Sequence, residues 1–225
     1  NQLKKGISQT LTLAFFLMVD KVNSPLQSLA TLFNGSGRVA ADEFEKTIRF
    51  LRGYNLEIFP DSMGFITQSV SDSCMNVSEC WVVAYSTDKF GVLRPGSDIS
   101  RFPPLLKTVN WAVSEENQLI VGPPFHGENG KVYSYYALTV RNTRQFGVVV
   151  SIIEYDKIYK KMLTELGLDH IAINLEMKLK TKDGYTKAKK VINNQDYLSD
   201  NYYKVEEFKI HNVVYFITWN PVKVN

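Results

Sequence analysis

Residues 96–125, "GSDISRFPPLLKTVNWAVSEENQLIVGPPF", decide how this chain folds. They open on Gly96 and Asp98 in a turn, pass through a helix-like stretch, and finish in a short apolar strand that stops at Gly122, Pro123 and Pro124. The spacing predicts a helix over about 101–115. Prolines 103 and 104 fit it only in the first turn, where an absent N–H breaks no intrahelical bond, and Ser100 is then the natural N-cap. That weakens a capping role for Asp98 and leaves three readings of it: cap of the helix, idle in the turn, or pointing into a pocket.

Upstream, residues 3–33 read as one long helix. Ile7, Leu11, Ala14, Met18, Val22, Leu26 and Leu29 recur at spacings of three and four, the stripe of an amphipathic helix. Pro25 is expected to bend or split it, and "NGSG" at 34–37 to stop it. A second helix is expected at about 40–53, with Phe44, Ile48 and Leu51 on one face. "MGFITQSV" and "CWVVAYST" then read as strands on either side of a polar segment holding Cys74 and Cys80.

Downstream come three strand-like runs, "QLIVGPPF", "VYSYYALTV" and "FGVVVSIIEY", separated by "HGENGK" and "RNTRQ" at hairpin lengths. A helix at about 156–166 ends at Gly167, a left-handed cap. "HIAINLEMKL", "YYKVEEFKI" and "VVYFITWNPV" close the chain as strands, the last two joined through "HN". The lysines of "MKLKTKDGYTKAKK" surround a turn at Asp183-Gly184 and read as a solvated hairpin tip, or, beside a membrane, as a contact for anionic headgroups. Short hairpins and backing helices indicate an α+β fold with antiparallel sheets.

The composition allows a globular protein with one large core or two modest ones: 225 residues, 44% hydrophobic, 22% charged. A net charge of +3 is too small to imply nucleic acid. The longest apolar run, Leu11–Val19, is about half the ~20 residues of a membrane-spanning helix. Two readings of the cysteines stand: a small disulfide loop in an oxidising compartment, or two reduced thiols in the cytosol. A zinc site would need two further ligands, and His126, His170 and His211 are scattered singly. "NGS" at 34–36 and "NVS" at 76–78 match the glycosylation pattern. No nucleophile elbow, phosphate loop, dinucleotide fingerprint or zinc-protease motif occurs, and "NGSGRV" follows a helix where a phosphate cradle would follow a strand. The pairs Glu115/Glu116 and Glu206/Glu207 read as solvated surface. No cofactor, metal or catalytic residue is expected.

The Gly96–Asp98 turn, the helix through Trp111 and Ala112, and the Ile120–Pro123 strand end together resemble the central signature of CHASE domains, extracytoplasmic sensor modules of histidine kinases and nucleotide cyclases. "FGVVVSIIEYDKIYKKML" is similar to that family's strand-to-helix step, and "YFITWNP" to its closing strand. The chain departs from the family in having "YYALTV" where a Pro-Val pair is frequent. Double Cache sensors share the same layout.

The resemblance implies a stalk helix at 1–36, a membrane-distal PAS-like ligand-binding lobe at 37–155, and a connecting helix with a membrane-proximal PAS-like lobe at 156–225. It implies a periplasmic, membrane-anchored receptor region, a homodimer through the stalk, and a kinase or diguanylate cyclase output elsewhere. Carried over by position, Asp98 and the backbone of Ile120 would hold a small ligand with hydrogen-bond donors. Tyr85, Phe125, Tyr133 and Tyr135 are candidates for the apolar wall such a pocket needs, or for ordinary sheet packing. The stripe of residues 7–29 serves either a dimer face or packing on the chain's own lobes. The other readings are a double Cache sensor, an interaction module without a small ligand, and a secreted enzyme.

Overall fold

Helix α1 spans Gln2–Gly35 because its apolar positions stay in step with a 3.6-residue turn for nine turns. A computed structural model describes residues 2–54, 58–69, 74, 80–88, 91–193, 203–205 and 207–221. The "NVS" sequence at 76–78 and Glu206 lie outside them. Pro25 stands inside α1 without splitting it. The lost backbone bond and ring clash cost about 3 kcal/mol. Burial of Val22, Leu26 and Leu29 on the same stretch offsets this, each side chain contributing about 1.5–3 kcal/mol. The 7–29 stripe is internal: Leu11, Met18, Val22, Leu26 and Leu29 are all buried within the chain itself. The apolar residues α1 exposes are Leu3, Leu13, Phe16 and Leu17.

Contacts group the chain into two units. The first comprises Lys21–Pro123 and Ser134–Ile153; the second comprises Asn1–Asp20, Pro124–Tyr133 and Glu154–Asn225.

In the first unit, α2 (Ala41–Tyr54) begins with Asp42 and Glu43 in its first turn, where carboxylates complement the helix dipole. Glu43 also accepts the Ala40 N–H at 2.9 Å, half of a capping box. Strands β1 (Ser62–Ser69) and β2 (Cys80–Ser86) form a hairpin, and Cys74 and Cys80 are joined by a disulfide. After a single 3-10 turn at Ile99–Arg101 comes α3 (Pro103–Ser114), with both prolines at its start. Here the expectation for Ser100 is corrected. Phe102 precedes α3 without a side-chain cap, and Asp98 caps the 3-10 turn by accepting the Ser100 N–H at 2.8 Å. The extra turn, closed by Phe102 N–H to Ile99 O, moves the helix start two residues on and makes the aspartate the cap.

The expected strand "QLIVGPPF" is two, β3 (Ile120–Val121) and β4 (Phe125–His126), because Pro123 and Pro124 donate nothing to a ladder. Strands β5 (Val132–Arg141) and β6 (Phe146–Glu154) follow. The first sheet runs β2-β1-β6-β5-β3, with β4 paired to the start of β5. Phe33 of α1 packs on Phe65 of β1 at 4.2 Å between ring centres.

In the second unit, α4 (Tyr155–Leu166) ends at left-handed Gly167. Strands β7 (Ile171–Thr181), β8 (Gly184–Tyr185), β9 (Lys189–Asn193), β10 (Tyr203–Lys204), β11 (Phe208–Ile210) and β12 (Val213–Pro221) follow. Their sheet is ordered β10-β12-β7-β8, with β11 beside β12 and β9 beside β7. The lysine-rich stretch folds back at Asp183-Gly184 as expected, with Thr181 opposite Gly184. His211 and Asn212 close the β11–β12 hairpin, His211 in the left-handed region. Phe15 of α1 packs edge-on against Tyr215 at 5.0 Å. The Trp219 indole N–H donates to Ser8 Oγ at 2.9 Å.

This is the α+β arrangement expected: a long N-terminal helix followed by antiparallel-sheet, PAS-like lobes. Among the described residues no helix is long and apolar enough to cross a membrane.

Candidate functional site

The turn before α3 is pinned to β2 by backbone bonds on both sides of it. Gly96 N–H donates to Val83 O at 2.8 Å, and Val83 N–H donates to Ser97 O at 3.0 Å. Gly96 has φ +85°, a conformation other residues adopt only with strain. Asp98 itself pairs with Val82 as an isolated antiparallel bridge. The aspartate is thereby fixed in backbone position, and it is only 8% exposed.

Its two carboxylate oxygens have different fates. Oδ1 accepts the Ser100 N–H, whereas Oδ2 is buried and no hydrogen-bond partner reaches it. A buried acceptor without a partner costs about 1–3 kcal/mol, and more when charged. Buried polar groups in folded proteins are nearly always satisfied, so this oxygen is an exception, and it sits on a turn fixed by backbone bonds. Ser151 Oγ on β6 is the other buried, unpartnered oxygen in this sheet. It read only as a strand residue, and the unbroken apolar run around it, Val148–Val150 and Ile152–Ile153, gave no signal of it.

The other candidates are dispersed. Ile120 is 1% exposed and pairs with Ala137, on β3 at the sheet edge. Tyr135 is buried on β5. It shares a face with Thr139 by alternation, and Thr139 Oγ1 donates to Ala112 O of α3, so that face looks toward α3. Burial first, and then the Asp88 carboxylate, push the Tyr135 phenol far above its ordinary pKa. Tyr85 instead packs on Phe44 of α2 and stacks on Phe65.

Phe125 and Tyr133 belong to the second unit, where they stack on each other at 5.9 Å across the β4–β5 hairpin. The Tyr133 hydroxyl accepts from Asn129 Nδ2 at 2.8 Å and donates to Glu154 Oε2 at 3.3 Å. Glu154 is buried and takes the Lys131 ammonium at 2.6 Å, a bond that raises the Lys131 pKa. Glu154 was not singled out from the sequence. Its signal is a carboxylate closing an apolar strand, and only its pairing across the hairpin gives that meaning.

Among the described residues no group of three or more His, Cys, Asp or Glu is placed to hold a metal ion.

No family model and no curated protein matches this chain. Solved structures do. The ligand-binding domain of the amino acid chemoreceptor PctC of Pseudomonas aeruginosa PAO1, in complex with GABA, superposes with a TM-score of 0.59 at 11% identity, over 97% of this chain and 99% of that one. The periplasmic sensory domain of the Campylobacter jejuni chemoreceptor Tlp1 gives 0.56 at 11% identity, over 99% and 93%. An extracellular ligand-binding receptor from Desulfohalobium retbaense gives 0.54 at 11% identity, over 96% of this chain and 39% of that one. At these identities the likeness is one of fold.

Proposed function

We propose that this chain is the periplasmic sensor region of a bacterial membrane receptor and binds a small ligand at Asp98. The observation that carries this reading is the buried Oδ2 of Asp98, held in place by β2 and the 3-10 turn and given no donor by the described residues. An ionised carboxylate only accepts, so its complement is a ligand with N–H or O–H groups. A charged amine bonds it most strongly. The fold supports the reading, since it matches chemoreceptor sensory domains along nearly their whole length. One of those neighbours holds GABA, which carries an amine. The disulfide between Cys74 and Cys80 suits an oxidising compartment.

In this reading 37–155 is the ligand lobe, 1–36 the stalk and 156–225 the membrane-proximal lobe. The segment does no chemistry itself. A ligand that binds one arrangement of the lobe more tightly shifts its population, and a homodimer joined through the stalks passes the change to an output domain elsewhere in the protein. The "GSDIS" signature favours a CHASE receptor with a kinase or cyclase output. The whole-length match to chemoreceptors favours the double Cache reading, in which the ligand contacts need not centre on Asp98.

A thermal-shift screen against amines, amino acids, nucleobases and carboxylates tests the proposal. A ligand at a hundred times its Kd stabilises by about 2.7 kcal/mol. A hit that Asp98→Ala abolishes supports the Asp98 site. A hit that survives the change moves the ligand elsewhere, and a silent library points to a protein partner.

A further inference from the structure

The second unit carries a groove of about 860 Å³ between the first half of α1 and the β10–β11 segment. Its direction is fixed by contacts. Tyr203 packs on Trp219, whose indole donates to Ser8, while Phe208 packs on Phe15. Tyr203 therefore stands beside the first turns of α1 and Phe208 nearer Phe16. The two ends of the groove differ in chemistry. Lys4, Lys5 and Lys204 stand at the first end, with the Lys4 ammonium 4.1 Å from the centre of the Tyr203 ring. Leu13, Phe16 and Phe208 line the other. There, Glu207 and Lys209 are of opposite sign and leave no net charge. Lys4 and Phe16 are twelve residues apart on the helix, about 18 Å.

We propose that this groove binds a free single-chain anionic amphiphile, its head between Lys4, Lys5 and Lys204 and its tail along Leu13, Phe16 and Phe208. Charge selects the head, because Lys4, Lys5 and Lys204 line this end and no described carboxylate stands beside them. Exposed apolar side chains select the tail: Leu13 is 61% and Phe16 46% exposed, and three residues apart they are neighbours on one helix face. The volume falls in the range of small-molecule sites, about 300–1,000 Å³. A concave site of that size encloses one chain, whereas a bilayer surface is met by a protruding apolar face. The proposal does not depend on Asp98, which lies in the other unit.

The test is a calorimetric titration of the whole chain with decanoate below its micelle concentration, beside decanol and decyltrimethylammonium. Two double variants accompany it, Lys4→Glu with Lys204→Glu, and Leu13→Ser with Phe16→Ser; melting curves verify that these surface changes leave the fold intact. The expected result is saturable binding of one decanoate per chain, at least about tenfold weaker binding of decanol, and none of the cation. Each lysine is worth about fivefold, so the lysine variant weakens decanoate at least about 25-fold, and the serine variant also weakens it. Asp98→Asn leaves decanoate binding unchanged, which separates this site from the ligand site proposed above. Equal binding of decanol and decanoate, or wild-type affinity in either double variant, overturns the proposal. So does binding to phosphatidylglycerol vesicles without binding of free decanoate, which assigns the patch to a membrane. A dimer that Phe16→Ser dissociates, with no decanoate bound, overturns it in favour of a second copy of the chain.

Discussion

At position 98 the choice between aspartate, asparagine and alanine separates the cap made by Oδ1 from the ligand contact proposed for Oδ2. Asparagine keeps an acceptor for the Ser100 N–H, so Asp98→Asn should melt close to the wild type. Asp98→Ala loses the cap, worth about 1 kcal/mol, and also removes the unpaired oxygen. Gly122 shows the same economy of space. Its N–H donates to Tyr135 O at 2.8 Å, and a Cβ there would overlap Thr108 Oγ1 of α3. Gly122→Ala should destabilise by about 1–3 kcal/mol, and Thr108→Ala in the same chain should return part of it; a double-mutant cycle by urea unfolding measures the coupling. Tyr135 sets a pH limit. Folding raises its phenol pKa, so its contribution is complete below the unfolded tyrosine value of about 10 and is lost as pH rises from there through the folded value. Spectrophotometric titration should therefore give native Tyr135→Phe and wild type the same curve, with a one-tyrosine difference appearing only on unfolding.

Among the elements, the β4–β5 hairpin is tied to α4 by a small charge cluster in which Lys131 pairs with Glu154 and Asp156, and Lys157 also reaches Glu154 at 3.6 Å. The Glu154 side chain is 3% exposed and that of Lys131 41%. Because the lysine is partly solvated and Lys157 still reaches Glu154, Lys131→Met should lower stability by less than the loss of one partner from a fully buried pair. Lys131→Met with Glu154→Gln should recover some of that in the same unfolding assay. The Cys74–Cys80 loop is short, and loop-entropy scaling puts its contribution at about 2 kcal/mol. Cys74→Ser should lower the melting temperature while far-UV circular dichroism remains unchanged.

Elements were legible where periodicity or turn chemistry was strong. The α1 stripe, the two prolines in the first turn of α3, left-handed Gly167 and the "HN" hairpin all followed from local rules. Pro25 did not split α1, because packing outweighed a local penalty. Ser100 lost the cap to Asp98 because a 3-10 turn is invisible in hydrophobic spacing. Of the short strands, β8 was hidden because two residues carry no alternation, and β9 because it opens on Lys189 and Lys190.

For the molecule as a whole, the layout of a long helix and two antiparallel sheets was readable in the sequence, whereas the use of its faces was not. The stripe of residues 7–29 names an apolar surface, but only the fold shows that it is spent inside the chain and that Leu13 and Phe16 remain outside. Likewise, Tyr85, Phe125, Tyr133 and Tyr135 are equivalent as sequence. The structure gives Tyr85 to α2, Phe125 and Tyr133 to a hairpin with Glu154, and Tyr135 to the α3 side, because long-range register decides what a strand residue meets. Asp98 stood out at both levels, first by its place in a turn and then by an oxygen left unpaired. The most direct test is therefore a calorimetric titration of the strongest screening hit into wild type and Asp98→Asn, at matched stability. The account predicts a loss in the variant of at least about tenfold, 1.4 kcal/mol or more, from a charge-assisted bond that asparagine cannot replace. Equal affinity in the two proteins would contradict it and leave the aspartate as the cap of a turn.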